Sequence, residues 1–266
     1  MVNDIIRYDN KIVTFLDILG FRNLVFQDKG DSIKSIRKLD LALRKSIELL
    51  DEYDQKWFSA KLFSDCICLS CNDNDLDIML REVALLQLFL TIEGIFLTGA
   101  IARGLHFENE RLIFSEGLIN AYEMQDGEKY PRVIVNGTLL ERMKKESCSH
   151  YGGQLSLFLI EGPDGRQFLD YLQPLVEEDG LKGEMESLLE SHKNAIIQKV
   201  LENIKSPKVL DKYRWLSQYH NFKFREFYEP EDYFEASFEE MKCKLQISMD
   251  IFPSFKKNEN IEEDNI

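Results

Sequence analysis

The chain has 266 residues, of which 44% are hydrophobic and 30% charged, so it is long enough to bury a full core. Its formal net charge of -14 argues against broad binding to nucleic acid, because that affinity comes from lysine and arginine side chains that displace counterions. No run approaches the roughly 18 apolar residues that a membrane span needs, and the N-terminus lacks the pattern of a signal peptide. We therefore expect a cytoplasmic protein with no membrane or nucleic-acid partner.

Patterns of apolar residues predict alternating strands and helices. Continuous apolar runs rich in β-branched residues are typical of buried strands, whereas apolar residues spaced three and four apart are typical of a helix packed on a sheet. In chain order these patterns predict a strand over 11–18, a helix over 32–50, a hairpin of strands over 57–63 and 66–71, a helix over 75–92, strands over 95–106 and 111–115, and a helix through 117–124. Farther along they predict a hairpin within 155–172 and helices over 183–204 and 206–219.

The order β-α-β-β-α-β is that of a ferredoxin-like core, so we expect an α+β fold with an added hairpin and a helical C-terminal extension. We divide the chain into a core at 1–145, an extension at 146–255 that packs on the core or on a dimer interface, and a disordered tail at 256–266. A ferredoxin-like fold alone does not define a function. The function has to be argued from particular side chains.

Two aspartates stand at the ends of strand-like runs, Asp17 in IVTFLDILGF and Asp65 in WFSAKLFSDCICLS. A carboxylate at the edge of a buried strand costs desolvation free energy, and a divalent cation shared by two carboxylates compensates that cost. Each residue alone has an ordinary explanation, as a helix cap for Asp17 and a turn residue for Asp65. The pair on adjacent predicted strands favours a metal site that serves nucleotide chemistry.

The segment Phe15–Phe21, FLDILGF, resembles the D-I-x-G-F element of class III nucleotidyl cyclases, and Lys61–Asp65, KLFSD, resembles their K-x-x-G-D hairpin. The resemblance covers roughly the first half of the chain and implies a class III cyclase-like core. The later stretches most similar to the bacterial pyrimidine cyclases of the Pycsar antiphage systems are GAI at 99–101, GLINAYEM at 117–124 and YPRVIV at 130–135.

This resemblance implies that Asp17, Asp65 and the main-chain carbonyl of Ile18 hold two divalent ions, Mn²⁺ or Mg²⁺. In such a site a ribose 3′-hydroxyl attacks its own α-phosphate. One ion lowers the pKa of the hydroxyl, and both ions stabilise the pentacoordinate phosphorus and the departing pyrophosphate. No protein nucleophile is required.

The resemblance also implies substrate-binding residues. Leu19, Gly20 and Phe21 would form the turn between strand and helix, where backbone N–H groups attract triphosphate oxygens. Lys61 is similar to the lysine with which adenylyl cyclases recognise the purine edge, and in class III dimers that lysine acts on the nucleotide of the partner subunit. Asn120 resembles the ribose-orienting asparagine of the family. Each also fits an ordinary role, as a tight turn, a lysine on a solvated strand face, or a polar residue on a helix.

The chain departs from the general class III pattern at Met124 and Ser64. Met124 stands where an arginine follows the asparagine by four residues, so the usual transition-state cation is either missing or supplied from elsewhere, with Arg22, Arg103 and Arg132 as candidates. Ser64 replaces the hairpin glycine, so the hairpin must turn without it. Arg103 lies beside two glycines on a predicted strand, where it could reach a phosphate or form an ordinary ion pair; we take it as a substrate-binding candidate.

These inferences combine into the hypothesis of a homodimer with shared active sites that converts UTP, ahead of CTP, into 3′,5′-cyclic UMP or CMP and pyrophosphate. If the Pycsar resemblance holds, the product is a second messenger in antiphage defence that a separate effector senses. The first alternative is an adenylyl cyclase, which Lys61 favours. The second is a catalytically silent ferredoxin-like domain that binds a nucleotide or a protein.

Overall fold

The structure of the chain, a computed structural model, describes residues 7–27, 33–48, 58–145, 158–228 and 235–252. The predicted tail at 256–266 lies outside these residues. The strands are β1 (Asp9–Ile18), β2 (Phe58–Phe63), β3 (Cys66–Asn72), β4 (Leu97–Glu108), β5 (Ile113–Ser115), β6 (Val133–Val135), β7 (Leu159–Glu161) and β8 (Gln167–Leu169). The helices are α1 (Phe21–Gln27), α2 (Lys34–Glu48), α3 (Leu76–Ile92), α4 (Glu116–Asp126), α5 (Gly137–Lys145), α6 (Pro174–Glu177), α7 (Asp179–Lys182), α8 (Met185–Glu202), α9 (Pro207–Phe227) and α10 (Glu235–Leu245), followed by a 3₁₀ turn at Met249–Ile251.

The central sheet has the strand order β2-β3-β1-β4-β6-β8-β7, and β5 pairs with β4 beside this path. The pairs β2–β3, β3–β1 and β1–β4 are all antiparallel, and α2 and α3 connect these strands in the order β1-α2-β2-β3-α3-β4. This is a ferredoxin-like βαββαβ core, so the predicted α+β fold class is confirmed. β6 lies parallel to β4, and the predicted hairpin, formed by β7 and β8, extends the same sheet through β6.

Helix α4 packs closely on one face of this sheet because glycines leave room for it. A Cβ atom on Gly104 would lie 2.6 Å from the backbone nitrogen of Gly117 in α4. The ring of Tyr122 in α4 meets the ring of Phe15 edge-on, with centroids 5.4 Å apart. Residues at alternate positions of β1 therefore face α4.

The opposite face of β1 carries Ile12 and Leu16, which are fully buried. Helix α3 packs against β3, β4 and α2, and its side chains are buried from Leu76 to Thr91 on nearly all sides. A helix that is apolar all round is typical of the interior of a domain. The core therefore lies between the sheet and the α2–α3 pair.

Several helices differ from the sequence expectations, and α5, α6, α7 and α10 were not predicted. α1 occupies part of the segment between β1 and α2, where we expected a turn alone; it has only seven residues, too few for a helical period to stand out. α9 continues beyond residue 219 to Phe227, and Phe224 in this added part is buried.

By internal contacts the chain forms two units, Met1–Ala195 and Ile196–Ile266. The first contains the whole sheet. In the second, the Asn221 side chain donates to the carbonyl of Ile247 and accepts from its N–H, both at 2.9 Å, which ties the segment after α10 to α9. The division at 145 stays a prediction. Among the helices described here, none combines the length and the apolar character needed to cross a lipid bilayer.

Candidate active site

The end of β1 and the β2–β3 turn bring the two aspartates together. Asp17 pairs in register with Cys66 of β3 and with Thr98 of β4. The N–H of Ile18 donates to the main-chain carbonyl of Asp65 at 2.8 Å, which fixes the hairpin turn beside the end of β1. One ligand atom each from Asp17, Asp65 and Cys66 lies within 4.8 Å of the other two.

The spacing of these atoms fits a hard divalent cation. When two carboxylate oxygens bind one ion, each at about 2.1 to 2.4 Å, the two oxygens lie at most about 4.8 Å apart. Mg²⁺ and Mn²⁺ prefer such oxygen ligands. Asp17 and Asp65 are half-buried, so an ion there would still have open positions for a ligand. Ile18, whose carbonyl the resemblance adds to the site, is the last residue of β1.

The neighbouring thiol stays protonated at neutral pH. Burial, and then the negative charge of Asp65 and Asp17, raises the pKa of Cys66 to about 11. Its Sγ donates to Oδ1 of Asp65 at 3.6 Å. In the absence of a cation, Cys66 therefore acts as a weak hydrogen-bond donor to the carboxylate pair.

The hairpin turns without the expected glycine because Ser64 takes its conformation. Its φ is +57°, in the left-handed region, and no other described non-glycine residue has a positive φ. This conformation costs an ordinary side chain about 1 kcal/mol or more. The strain is located one residue before Asp65, at the turn that sets the position of that carboxylate.

The turn after β1 is shorter than the sequence predicted. Gly20 has a φ of +73°, and its carbonyl accepts from the N–H of Asn23 at 2.8 Å. Phe21 is already the first residue of α1, and the N–H of Leu19 donates to the carbonyl of Phe96 at 2.9 Å. Leu19 and Gly20 therefore form the turn and Phe21 begins the helix, and the binding of triphosphate oxygens by these three residues stays a prediction.

Lys61 lies on the same sheet face as Asp17. It pairs with Cys68, which also pairs with Phe15, two residues from Asp17 along β1. Two residues of strand correspond to about 7 Å. Its Nζ donates to the carbonyl of Asn109 in the turn between β4 and β5 at 2.9 Å. The lysine is therefore near the metal-site end of the face but held by the β4–β5 turn.

Asn120 and Arg103 meet in a separate place, a cavity of about 450 Å³. The Asn120 amide donates to the main-chain carbonyl of Arg103 at 3.5 Å. Along β1, Arg103 pairs with Ile12 whereas Thr98 pairs with Asp17, so the two places are five residues of β4 apart, or about 17 Å. The cavity is lined by Arg103, Asn120, Glu123, Met124, Asn136 and Thr138. A single chain thus does not bring all the predicted site residues together.

Arg103 is bound by an aspartate that the sequence analysis did not single out. Its Nε and Nη2 donate to the two carboxylate oxygens of Asp73 at 2.7 and 2.8 Å, and Nη1 of Arg142 donates to the same group at 2.6 Å. Burial acts to raise the pKa of Asp73, but the hydrogen bonds from Arg103 and the charges of both arginines hold it below its ordinary value. The carboxylate is therefore charged throughout the neutral range.

The other two candidate arginines lie elsewhere. Arg132 is buried at the start of β6, where it forms ion pairs with Glu128 and Asp164 and contacts the ring of Phe168. These contacts leave it no exposed surface for a nucleotide, so its proposed role as transition-state cation is corrected. Arg22 is exposed on α1, with its guanidinium 5.6 Å from the ring centroid of Phe26.

Asn136 is a further cavity residue that sequence reasoning missed. Its Oδ1 accepts from the N–H of Thr138 at 2.8 Å, which caps the start of α5. Its Nδ2 lies 3.3 Å from Sδ of Met124. The signal was present in the sequence as Asn-Gly-Thr before a helical run, which is a capping pattern, whereas nothing marks Asp73 as a partner of Arg103.

Several large apolar side chains are exposed around the hairpin turn, β5 and α4. Phe63 at the turn is 82% exposed and Phe114 in β5 is 63% exposed. Ile119 and Tyr122 on α4 are also more than half exposed. Large apolar side chains with this exposure are candidates for a protein–protein contact surface.

No protein-family model matches the chain, and no curated protein matches it. Among solved structures, a bacterial light-regulated adenylyl cyclase matches with 11% identity and a TM-score of 0.41 over 67% of this chain and 99% of that one. The adenylyl cyclase CyaB from P. aeruginosa matches with 11% identity and a TM-score of 0.39 over 52% of this chain and 82% of that one. Identities and scores at this level do not assign a function, which depends on the site itself.

Proposed function

We propose that this chain is a nucleotidyl cyclase, which converts a nucleoside triphosphate into a 3′,5′-cyclic monophosphate and pyrophosphate. The observation that carries the proposal is the meeting of Asp17 and Asp65 at the end of β1, with a spacing that suits shared divalent cations. Asp17, Asp65 and the carbonyl of Ile18 would hold two Mn²⁺ or Mg²⁺ ions. When bound, such ions acidify the ribose hydroxyl and neutralise charge on the phosphates.

The residues of the chain position the substrate for an intramolecular reaction. The 3′-hydroxyl loses its proton to solvent, its oxygen forms a bond to the α-phosphorus, and the bond to the bridging oxygen of the β-phosphate breaks, releasing pyrophosphate. The short turn at Gly20 gives the triphosphate close access to the backbone, since glycine has no Cβ and no atom lies within 4 Å of that position. Asn120 orients the ribose through its amide.

The proposed enzyme is a homodimer with two shared sites. Along β4, Arg103 lies five residues, or about 17 Å, from Thr98, the partner of Asp17, and Asn120 lines the same cavity as Arg103; both would therefore act on a nucleotide held by the second copy. The exposed apolar residues around Phe63, Phe114 and Ile119 form the contact. A two-fold axis would then place the cavity of each protomer against the metal site of the other.

The substrate that we propose is a pyrimidine nucleoside triphosphate, UTP ahead of CTP. The cyclic product would be a second messenger in antiphage defence that a separate effector senses. Both proposals rest on the sequence resemblance to Pycsar cyclases. Lys61, placed on the same sheet face as Asp17, would contact the base across the dimer.

Incubation of the purified protein with Mn²⁺ and each of the four nucleoside triphosphates separately tests this proposal. We expect liquid chromatography with mass spectrometry to detect cyclic UMP in the largest amount and cyclic CMP second. A product from ATP alone would identify an adenylyl cyclase instead. No cyclic product from any of the four would contradict the cyclase function.

A further inference from the structure

Two arginines share one carboxylate beside the cavity. Arg103 on β4 binds Asp73 through Nε and Nη2, the side of the guanidinium that matches both carboxylate oxygens. Arg142 on α5 binds the same Asp73 and also donates to the side chain of Asn74 at 3.2 Å. The three charged groups carry a formal net charge of one positive unit.

Only one of these arginines reaches the cavity. Arg103 lines it together with Asn120 and Met124, whereas Arg142 does not. Within the described part of the chain, Arg103 is the only basic side chain in the cavity wall. The bond from the Asn120 amide to the Arg103 carbonyl also ties the two residues to each other.

Transfer of a phosphoryl group develops negative charge on the phosphate oxygens, and a positioned cation lowers the free energy of that transition state. Met124 supplies no charge, and its Sδ already meets Asn136. A guanidinium held along one edge by a carboxylate keeps its orientation and loses little side-chain entropy when it binds a phosphate.

We propose that Arg103 is the catalytic cation that stabilises the transition state of the nucleotide bound by the second protomer, and that Asp73 is the positioning residue that orients it. This inference rests on the proposed cyclase function. It assigns the missing charge to a strand residue and gives Asp73, which no motif marks, a defined role.

Replacement of Arg103 by methionine tests the catalytic role. We expect R103M to lower kcat about 10²- to 10³-fold, and to weaken the binding of a non-cyclisable α,β-methylene triphosphate only about tenfold. The kcat of R103K should lie between those of wild type and R103M, because lysine keeps the positive charge but cannot form the bidentate hydrogen bonds of a guanidinium. Turnover of R103M at the wild-type rate, with an unchanged thermal unfolding curve, would overturn the proposal.

Arg142 provides a matched control. R142M removes the same type of side chain from the same Asp73 but leaves the cavity wall intact, so we expect kcat and analogue affinity within about threefold of wild type. A loss in R142M as large as that in R103M would show that the ion-pair cluster is only structural, and would also overturn the proposal.

A cation restored at the helix position tests whether the charge itself matters. The double variant R103M/M124R should regain at least about tenfold in kcat over R103M, because Met124 lines the same cavity. D73N should lower kcat about tenfold with KM within about threefold of wild type, since it misorients Arg103 without removing a substrate contact. A double variant no faster than R103M, or a D73N effect on KM alone, contradicts the assigned roles.

Analogue binding separates this inference from the proposed function. If wild-type protein cyclises no triphosphate yet binds the methylene analogue in an Arg103-dependent manner, the cyclase function fails while Arg103 stands as a phosphate-binding residue. If wild-type protein cyclises a triphosphate and R103M does so equally well, the inference fails alone. If the wild-type chain neither cyclises a triphosphate nor binds the analogue, both are overturned.

Discussion

At the residue scale, Ser64 carries the strain that positions the candidate metal site. Its positive φ places Asp65 beside the end of β1, where the Asp65 carbonyl receives the N–H of Ile18. A serine in this conformation pays a steric cost that glycine avoids. The site is therefore built on a turn that is not optimal for stability.

Replacement of Ser64 by glycine should increase the free energy of unfolding by about 0.5 to 1 kcal/mol. The relief of the left-handed strain exceeds the greater chain entropy of glycine in the unfolded state. Urea denaturation measures the change, and S64A, which keeps the strain, is the matched control. A less stable S64G variant would show that the Ser64 conformation is not strained.

Glu82 is a second residue with a predictable effect on stability, because its carboxyl group is buried. It is buried in α3, Ser46 donates to its Oε1 at 3.1 Å, and its Oε2 lacks a hydrogen-bond partner among the described residues. Burial raises the pKa of Glu82 to about 8, with Ser46 and Arg81 acting in the opposite direction. The side chain is therefore largely neutral in the folded protein at pH 7.

The raised pKa predicts a pH-dependent stability. The folded state binds the Glu82 proton more tightly than the unfolded state. The contribution of Glu82 to stability is therefore fully present below about pH 4.5 and is lost as the pH rises to about 8. E82Q should remove this slope and be more stable than wild type above pH 8, by an amount on the order of a few kcal/mol. Urea denaturation at pH 5.5, 7.0 and 8.5 measures it, and parallel pH profiles for the two proteins would contradict the assignment.

At the element scale, the packing of α4 on the sheet depends on a close contact between backbone atoms. Gly104 in β4 and Gly117 in α4 approach so closely that a methyl group on Gly104 would overlap the backbone of α4. Because α4 carries Asn120 and Met124, this contact also sets the wall of the cavity. Packing and site geometry are thus coupled through one glycine pair.

Replacement of Gly104 by alanine should destabilise the protein by about 1 to 3 kcal/mol, because the clash is with backbone and α4 must move. Differential scanning calorimetry measures the loss. G137A is the matched control, since a Cβ at Gly137 meets no atom within 4 Å and alanine favours the helix that it begins. Equal melting temperatures for G104A and wild type would contradict the close packing of α4 against Gly104.

The elements show how far sequence patterns reach. β1 and the β2–β3 hairpin were predicted because their apolar runs are continuous, and Asp17 and Asp65 could be paired because both stand at strand ends. α1 could not be predicted, since seven residues carry too little periodicity. The contact between Asp73 and Arg103 joins a loop to a strand 30 residues away, and no local pattern encodes it.

At the scale of the whole molecule, the predicted site residues fall into two groups on one chain. Asp17 and Asp65 lie at one end of β1, whereas Arg103 lies five residues farther along β4, in register with Ile12, and lines the cavity together with Asn120. In the proposed homodimer, a two-fold axis would join the aspartates of one copy to the cavity of the other. The shared-site dimer is the feature of the account that a mixing experiment can test.

Two variants that are each inactive should restore activity when mixed. D17N removes one group and N120A the other, so a mixed dimer has one intact site and one doubly altered site. With random exchange, half of the dimers are mixed, and about a quarter of wild-type activity should return. D17N mixed with D65N is the control and should stay inactive, because those two changes belong to the same group. Recovery in the control alone would contradict the shared site.

The central claim is that Asp17 and Asp65 together hold the ions on which cyclisation depends. Its most direct test is the rate of cyclic nucleotide formation from UTP and Mn²⁺ in wild type, D17N and D65N, with folding checked by thermal unfolding. We predict that each variant keeps its fold and loses at least about 10³-fold in rate, because asparagine keeps the size of the side chain and removes the charge that binds the ion. Unchanged rates in both variants would contradict the claim.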